Sequence, residues 1–367
     1  MQIETNRPLK DLTTFKIGGP ARYFACCESA DDVRQAITFA RAQRLPFFVL
    51  GGGSNILVSD RGFDGLVLHI VNSGIALAAE NKDYVTIRIN AGETWDNVVA
   101  YAVSREWWGI ENLSHIPGQA GAAAVQNIGA YGQQLSDVLQ AVEVLEIATG
   151  IERQLTWEEC RLGYRRSVFN TERKNHYVIL NLTLRLSKAP IPNLGYSDVK
   201  KYFEERGITK PSLAQIRQAI IVIRDAKFPF PREEKGGNAG SFFKNVTLSP
   251  SEYDNLERRF RASFSHQHLI RLRELRHRFS DGVVIRIPTA FLIEACGLKG
   301  CRMGRAQVNE TQPLVLLNLG GASAHDVLRL AKEIRQTIHR RTGVKISLEP
   351  ELVGFREEEL SSLFELI

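Results

Sequence analysis

Residues 117–132 read Pro-Gly-Gln-Ala-Gly-Ala-Ala-Ala-Val-Gln-Asn-Ile-Gly-Ala-Tyr-Gly, and this run limits the fold more than any other stretch of the chain. Bulky side chains are almost absent, so the run cannot fill space with its own atoms. Glycine at 118, 121, 129 and 132 weighs against a regular helix, because each costs about 1 kcal/mol relative to alanine in a helix interior. The sequence therefore favours a groove over a tightly packed small-residue helix. A large planar cofactor with an extended diphosphate tail would fill it, and Gln126 and Asn127 would add amide donors and acceptors to its wall.

A second such run, residues 236–245 (Gly-Gly-Asn-Ala-Gly-Ser-Phe-Phe-Lys-Asn), has the character of a reaction floor. Its three glycines and Ala239 let the backbone approach a flat ligand. In a dry cleft the Ser241 hydroxyl can hand a proton to a carbon that has just become basic, and Lys244 and Asn245 can orient it. Taken alone, a glycine-rich turn before a strand is the plainer account. A third cluster, Gly51-Gly52-Gly53-Ser54-Asn55, follows a strand at 45–50. It lacks the G-x-G-x-x-G spacing and leads into another strand, so no helix N-terminus is offered to a pyrophosphate there. Successive glycine N–H groups can still form an anion-binding nest, and a hairpin turn is the competing account.

Composition narrows the setting. A chain of 367 residues exceeds one ordinary core, so two or three domains are expected. The net charge of +6 suits an anionic ligand such as a nucleotide diphosphate and is too small by itself to argue nucleic acid. Five cysteines without a Cys-x-x-Cys pair suggest neither a disulfide framework nor a zinc site, and a reducing cytoplasm fits them best. No apolar run would serve as a signal sequence or span a bilayer.

Hydrophobic period gives the elements in order. A strand at 22–27 precedes a helix capped by Ser29, with Val33, Ala36, Ile37 and Ala40 on one face. Strands follow at 45–50, 56–58 and 65–70, and a domain seam is placed between 65 and 82. The alternation at 84–89 is a half-buried strand, and Thr94 is expected to cap a helix bearing Trp95, Val98, Val99 and Ala102. Further strands are read at 142–146 and 178–186, and a helix carries Ile216, Ile220 and Ile223, from which Lys227, Pro229 and Pro231 lead to the run 236–245. Residues 258–278, rich in Arg and His, read as a solvated helix; without stacking aromatics they are a weak basis for nucleic-acid binding. A long helix follows Ser323 and stops at Gly343, and a strand at 344–348 leads to Glu349-Pro350-Glu351. One of these two carboxylates, partly buried, could act as an acid. In the stretch 160–167 either Arg165 or Arg166 could stabilise an enolate or carboxylate, and the turn-rich loop 190–198 with Tyr196 could cover a site.

Thr14-Phe15, 51–55, 116–118, 126–132, 163–165, 237–245 and 348–351 together resemble the UDP-N-acetylenolpyruvoylglucosamine reductase family, nearly end to end and in order. The resemblance implies an α+β chain built of α/β subdomains. A p-cresol methylhydroxylase-like FAD-binding fold would occupy 1–75, joined by the tail 352–367, and 76–212, with a smaller substrate-binding domain at 213–351. It implies non-covalent FAD, NADPH as reductant and UDP-N-acetylglucosamine enolpyruvate as substrate, in peptidoglycan precursor synthesis. It further implies a cytoplasmic monomer without nucleic-acid, membrane or metal partners. By motif, FAD would be held by Leu50, Gly51, Gly52, Gly53, Ser54 and Asn55; by Ile116, Pro117, Gly118, Gly121 and Ala122; and by Gln126, Asn127, Gly129, Ala130, Tyr131 and Gly132. Hydride would pass from flavin N5 to C3 of the enolpyruvyl group and a proton from Ser241 to C2, with Arg165 and Glu351 stabilising the charge. Tyr196, Lys227, Asn245 and Gln312 would contact the substrate, Tyr196 from a lid over its diphosphate. Val353 stands where the family often has an arginine. Two other readings compete: an oxidase of the same architecture using dioxygen, and a nucleic-acid-binding module resting on 258–278.

Overall fold

A computed structural model of the protein describes residues 1–227, 236–280 and 282–364; the connection through Pro229 and Pro231 lies outside them. By contact the chain divides into two interleaved units. One comprises Met1–Arg7, Ala21–Gly53 and Asp64–Ala226, the other Pro8–Pro20, Ser54–Phe63 and Lys227–Ile367.

The first unit contains two sheets. In one, the strands Ile3–Pro8, Pro20–Cys27, Phe63–Ile70 and Phe47–Leu50 lie in that spatial order, the last two parallel with Phe47 opposite Leu66. The intervening helix, Ala30–Ala42, starts where the sequence placed it. The Ser29 side chain accepts from the Asp32 N–H, the Asp32 carboxylate returns to the Ser29 N–H, and Val33, Ala36, Ile37 and Ala40 are buried.

The second sheet is antiparallel, in the order Glu152–Thr156, Leu139–Glu146, Tyr177–Ser187, Tyr84–Asn90, Ile75–Glu80. The three inner strands are those expected from alternation. Both edge strands escape a pattern reading, because almost every side chain on them is exposed and no apolar face recurs. The expected boundaries at 75 and 212 both fall at positions belonging to this unit.

Two local expectations fail here. Thr94 precedes the helix Trp95–Ser104, yet its side chain makes no capping hydrogen bond. The run 117–132 is not an open groove throughout, because Ala120–Val125 form a short helix with Ala120, Gly121, Ala123 and Ala124 buried. A Cβ on Gly121 would stand 2.7 Å from the Cβ of Ala91, so close packing against the end of Tyr84–Asn90 is what demands glycine there. Tertiary burial of an alanine-rich turn outweighs the propensity cost of its one glycine.

In the second unit the run 236–245 is a ribbon held on two sides. Gly237 bridges Asn318, Ser241 bridges Val315, and Phe243 bridges Leu348. Phe242 and Phe243 beneath it are fully buried and pack edge-on, their ring centroids 5.5 Å apart, and Phe15 meets Phe242 in the same way. Ile56–Val58 runs parallel to Glu351–Val353. The expected strand at 344–348 does not form a ladder. Only Leu348 bridges Phe243, Ser347 accepts from the Lys244 N–H, and the strand begins at Glu351 instead.

The basic stretch is two helices, Pro250–Ser263 and His266–Phe279, separated at Phe264 and Ser265; Ser265 caps the second by accepting from the His268 N–H. The helix Ala324–Thr342 carries a capping box at Ser323 and ends on Gly343 at φ +74°, as its sequence predicts. Among the described residues no helix is long and apolar enough to cross a membrane.

Candidate functional site

The first unit builds a cradle from two glycine turns that touch. A Cβ on Gly52 would come within 2.6 Å of the Gly118 Cα, and one on Gly51 within 3.0 Å of the Ala122 Cβ. Both positions therefore exclude side chains for a reason internal to the unit, and the same exclusion leaves backbone N–H groups bare for an anion. The opposite turn is stitched down: Trp95 donates to the Gly118 carbonyl, Ala120 to Glu93 and Gly121 to Ala91. Beside Gly51 the Oε1 of Gln119 is buried with no hydrogen-bond partner among the described residues. FAD carries a diphosphate, which side-chain-free glycine turns of this kind accommodate, so the residues present fit it.

Gln126, Gly129 and Ala130 are half-buried after the short helix, and Asn127 is buried. Its backbone is left-handed, at φ +46°, and its side chain is spent inside the unit. Nδ2 donates to the Gly163 carbonyl at 3.1 Å and lies within reach of Ser136 Oγ, while Oδ1 accepts from the Ser136 N–H. Asn127 thus fixes the turn that presents Arg165. That turn is closed by reciprocal bonds between Gly163 and Arg166, and Arg165 itself sits at φ +52°. Non-glycine residues adopt this conformation rarely, and it persists only where the surroundings enforce it. Arg165 donates to the Gly129 carbonyl at 3.3 Å and its guanidinium lies over the Tyr164 ring. Arg166 is exposed and pairs with Glu172 at 2.5 Å. Of the two arginines open to the sequence, the structure leaves Arg165 as the half-buried one.

Tyr131, also left-handed, meets Tyr196 edge-on with ring centroids 5.2 Å apart. Burial, chiefly, pushes the Tyr131 phenol up to about 12, so it is neutral at ordinary pH and can donate. Its partner Arg224 is an almost fully buried guanidinium whose pKa burial lowers; Arg224 Nε donates to the His115 carbonyl. The loop carrying Tyr196 is tied down through Asn193, which donates to Gly132, and through Asn112, which donates to the carbonyls of both Tyr131 and Asn193 at 2.8 Å.

In the second unit Ser241 is half-buried on the ribbon. Phe242 donates to Leu314 at 2.7 Å, and Glu349 donates to Phe242 at 3.0 Å. Gly236 and Gly237 are not there for a ligand. A Cβ on the first would meet the Asn318 carbonyl at 1.9 Å and one on the second the Thr14 carbonyl at 2.0 Å. Gly240, at φ +71°, faces open space. Gln312 closes the turn that feeds Val315, accepting from its N–H at 2.9 Å, which brings Gln312 near Ser241 in register. The Lys227 carbonyl receives Asn309 Nδ2 on the same turn. Thr289 ties down the far end, donating from Oγ1 to the Lys244 carbonyl and from N–H to Asn245 Oδ1. Asn55 anchors the acidic turn: its Nδ2 donates to the Glu349 carbonyl and its own carbonyl accepts from the Glu351 N–H. Val353 is buried, pairing with Val58 in the parallel ladder.

The basic helices neutralise much of their own charge. Arg261 and Arg273 share Glu257, Arg271 pairs with Glu274, and Arg276 with Asp254.

Comparisons with known proteins bear on both units. A family model described as "FAD binding domain" matches residues 21–156. A second, described as "UDP-N-acetylenolpyruvoylglucosamine reductase, C-terminal domain", matches residues 231–353. The chain is 33% identical over 354 residues to the UDP-N-acetylenolpyruvoylglucosamine reductase of Flavobacterium johnsoniae, covering 96% of this chain and 100% of that one. It is 38% identical over 345 residues to the protein of that name from Paraburkholderia xenovorans (94% and 95% covered), and 36% over 352 residues to that from Pseudomonas aeruginosa (96% and 99%). Among solved structures it is similar in fold to UDP-N-acetylenolpyruvylglucosamine reductase from Thermus caldophilus, with a TM-score of 0.64 at 24% identity over 96% of this chain and 98% of the other.

Proposed function

This chain belongs to the UDP-N-acetylenolpyruvoylglucosamine reductase family, and from that premise we propose the part each of its residues plays in the reaction. It is an FAD-dependent oxidoreductase that reduces the enolpyruvyl group of UDP-N-acetylglucosamine enolpyruvate in peptidoglycan precursor synthesis. Bound FAD, once reduced by a nicotinamide that we read as NADPH, would supply the hydride that C3 of that group takes.

The observation that carries the assignment of roles is the ribbon holding Ser241 between Val315 and the turn leading to Glu351. Reduction at C3 leaves negative charge on C2 and the adjoining carboxylate, so a proton must reach C2. Ser241 gives up that proton. An isolated serine hydroxyl is a weak acid, so a cation must lower the cost of its alkoxide, and Lys244, three residues on, is the candidate. Arg165 stabilises the charge on the carboxylate with its planar fork of donors, and Glu351 serves as the acidic partner in the same step. Tyr196, Lys227, Asn245 and Gln312 hold the nucleotide sugar. The two sheets of the first unit correspond in this reading to two FAD-binding subdomains, and the turns 50–53 and 116–122 to the cofactor's cradle, with Gly129, Ala130 and Tyr131 beyond them. Five free cysteines support action in a reducing cytoplasm.

The visible spectrum of the purified protein tests the reading directly. Anaerobic NADPH should bleach a flavin band, and UDP-N-acetylglucosamine enolpyruvate added to the same cuvette should restore it. A protein that takes up no FAD, or whose reduced flavin ignores the enolpyruvyl sugar, would overturn it.

A further inference from the structure

Glu111 and Asn112, in the short turn Glu111–Leu113, are fully buried, and Gln133 is nearly so. Burying a carboxyl and two amides is costly unless they are hydrogen-bonded, so where their bonds go shows what they order. Glu111 Oε2 accepts from the Gly109 N–H at 2.7 Å and its Oε1 from Gln133 Nε2 at 2.9 Å. Gln133 Oε1 in turn accepts from the Asn112 N–H at 2.8 Å. Burial, the larger effect, raises the Glu111 pKa, and the donors of Gly109 and Gln133 work against it. Both ends of this chain of bonds are backbone N–H groups, which can only donate. Between two fixed donors, a pair of touching side chains is satisfied by one carboxylate and one amide; two amides would set N–H₂ against N–H₂, and two carboxylates would repel. The Glu111 carboxyl thus dictates which way the Gln133 amide points.

Asn112 passes that order on. The Gln133 contact holds its backbone, and its Nδ2 donates both hydrogens, to the Tyr131 carbonyl and to the Asn193 carbonyl, each at 2.8 Å. Its Oδ1 is buried without a hydrogen-bond partner among the described residues, so the amide serves through its donors. One of the two carbonyls belongs to the turn of Tyr131 and the other to the loop of Tyr196, three residues before that tyrosine, and the two rings meet edge-on. We propose that Glu111, acting through Gln133 and Asn112, is a positioning residue that sets the Tyr196 loop for the diphosphate of the nucleotide sugar. The inference rests on the reading of Tyr196 as a lid over the substrate. Because the three side chains are buried, their effect on the substrate travels through the carbonyls that Asn112 holds.

The test reads KM for the enolpyruvyl sugar at saturating FAD, with thermal unfolding of each variant alongside. Asn112→Asp removes both Nδ2 donors and should raise KM roughly tenfold while kcat changes by less than about threefold. Glu111→Gln and Gln133→Glu each break the pairing and should raise KM by a similar factor. The exchange of Glu111→Gln together with Gln133→Glu again sets one carboxylate against one amide, and should return KM to within about threefold of wild type. The lid supplies the control. In a Tyr196→Ala background Asn112→Asp should raise KM no further, because the ring it positions is gone. Additive effects would make Asn112 a residue of stability alone, and the inference falls. It falls too if the exchanged pair keeps the raised KM or fails to fold; where a single variant melts too early to assay, the exchange decides. Unchanged KM in Tyr196→Ala alone would overturn the lid reading, and this inference with it.

Discussion

The side-chain amide of Asn127 donates to the carbonyl of Gly163 at 3.1 Å, two residues ahead of Arg165. The Asn127 side chain thereby fastens the turn on which Arg165 stands. That turn carries Arg165 in a left-handed backbone conformation, which the surroundings must enforce.

Asn127→Ala removes the donor to Gly163 and the acceptor for the Ser136 N–H together. It should destabilise the protein by about 1–3 kcal/mol. Substrate reduction should slow further than in a variant equally destabilised far from this turn, as rapid-mixing kinetics of flavin reoxidation would reveal. Equal slowing in the two variants would reduce Asn127 to a purely structural residue.

Ser241→Ala should leave flavin reduction by NADPH intact while reoxidation by the enolpyruvyl sugar falls by about a hundredfold to ten-thousandfold, the range general-acid groups contribute. The two half-reactions are separable by stopped-flow absorbance. Wild-type reoxidation in this variant would remove the hydroxyl from the mechanism.

Arg165→Lys keeps the positive charge but loses the planar fork and its bond to the Gly129 carbonyl. Turnover should drop by about a hundredfold or more, since a point charge cannot reproduce two aligned donors at a developing carboxylate charge. Arg166→Lys, which alters only the exposed pair with Glu172, should keep near-normal turnover. Comparable losses in both variants would indicate that neither arginine has a special role.

Glycine is required at 237 and 240 for different reasons, and alanine should separate them. Gly237→Ala forces a Cβ to within 2.0 Å of the Thr14 carbonyl, so the ribbon must shift, and a loss above about 3 kcal/mol is expected. Gly240→Ala meets no atom within 4 Å and bears only the left-handed backbone cost of roughly 1–2 kcal/mol. Urea unfolding of both variants gives the comparison.

The first unit should carry an acid-sensitive clasp. Asp96 accepts from Arg217 at 2.7 and 2.8 Å and from the His115 N–H; burial raises its pKa, but these donors outweigh burial and the net shift is downward. A depressed folded-state pKa makes the contribution fully present above the unfolded value of about 3.9 and lost as pH falls through the folded one. The stability gap between wild type and Asp96→Asn should therefore be flat above about pH 5 and close at lower pH. A gap that widens on acidification would reverse the sign of the linkage.

The sequence by itself determined the elements whose information is local. Ser29 and Ser323 capped helices as their spacing requires, Gly343 ended one, and the alternation in 84–89 and 178–186 marked the inner strands, because one buried face repeats every second residue. Ordered motifs also determined the family. Tertiary structure decided what each glycine and amide is for. Gly236 and Gly237 yield to the backbones of Asn318 and Thr14, and Gly121 to Ala91. Asn127 is engaged by Gly163 and Ser136, and the Gln119 Oε1 is left without a hydrogen-bond partner among the described residues. Such roles depend on which distant segment lies within a few ångströms, and no periodicity along the chain encodes that distance.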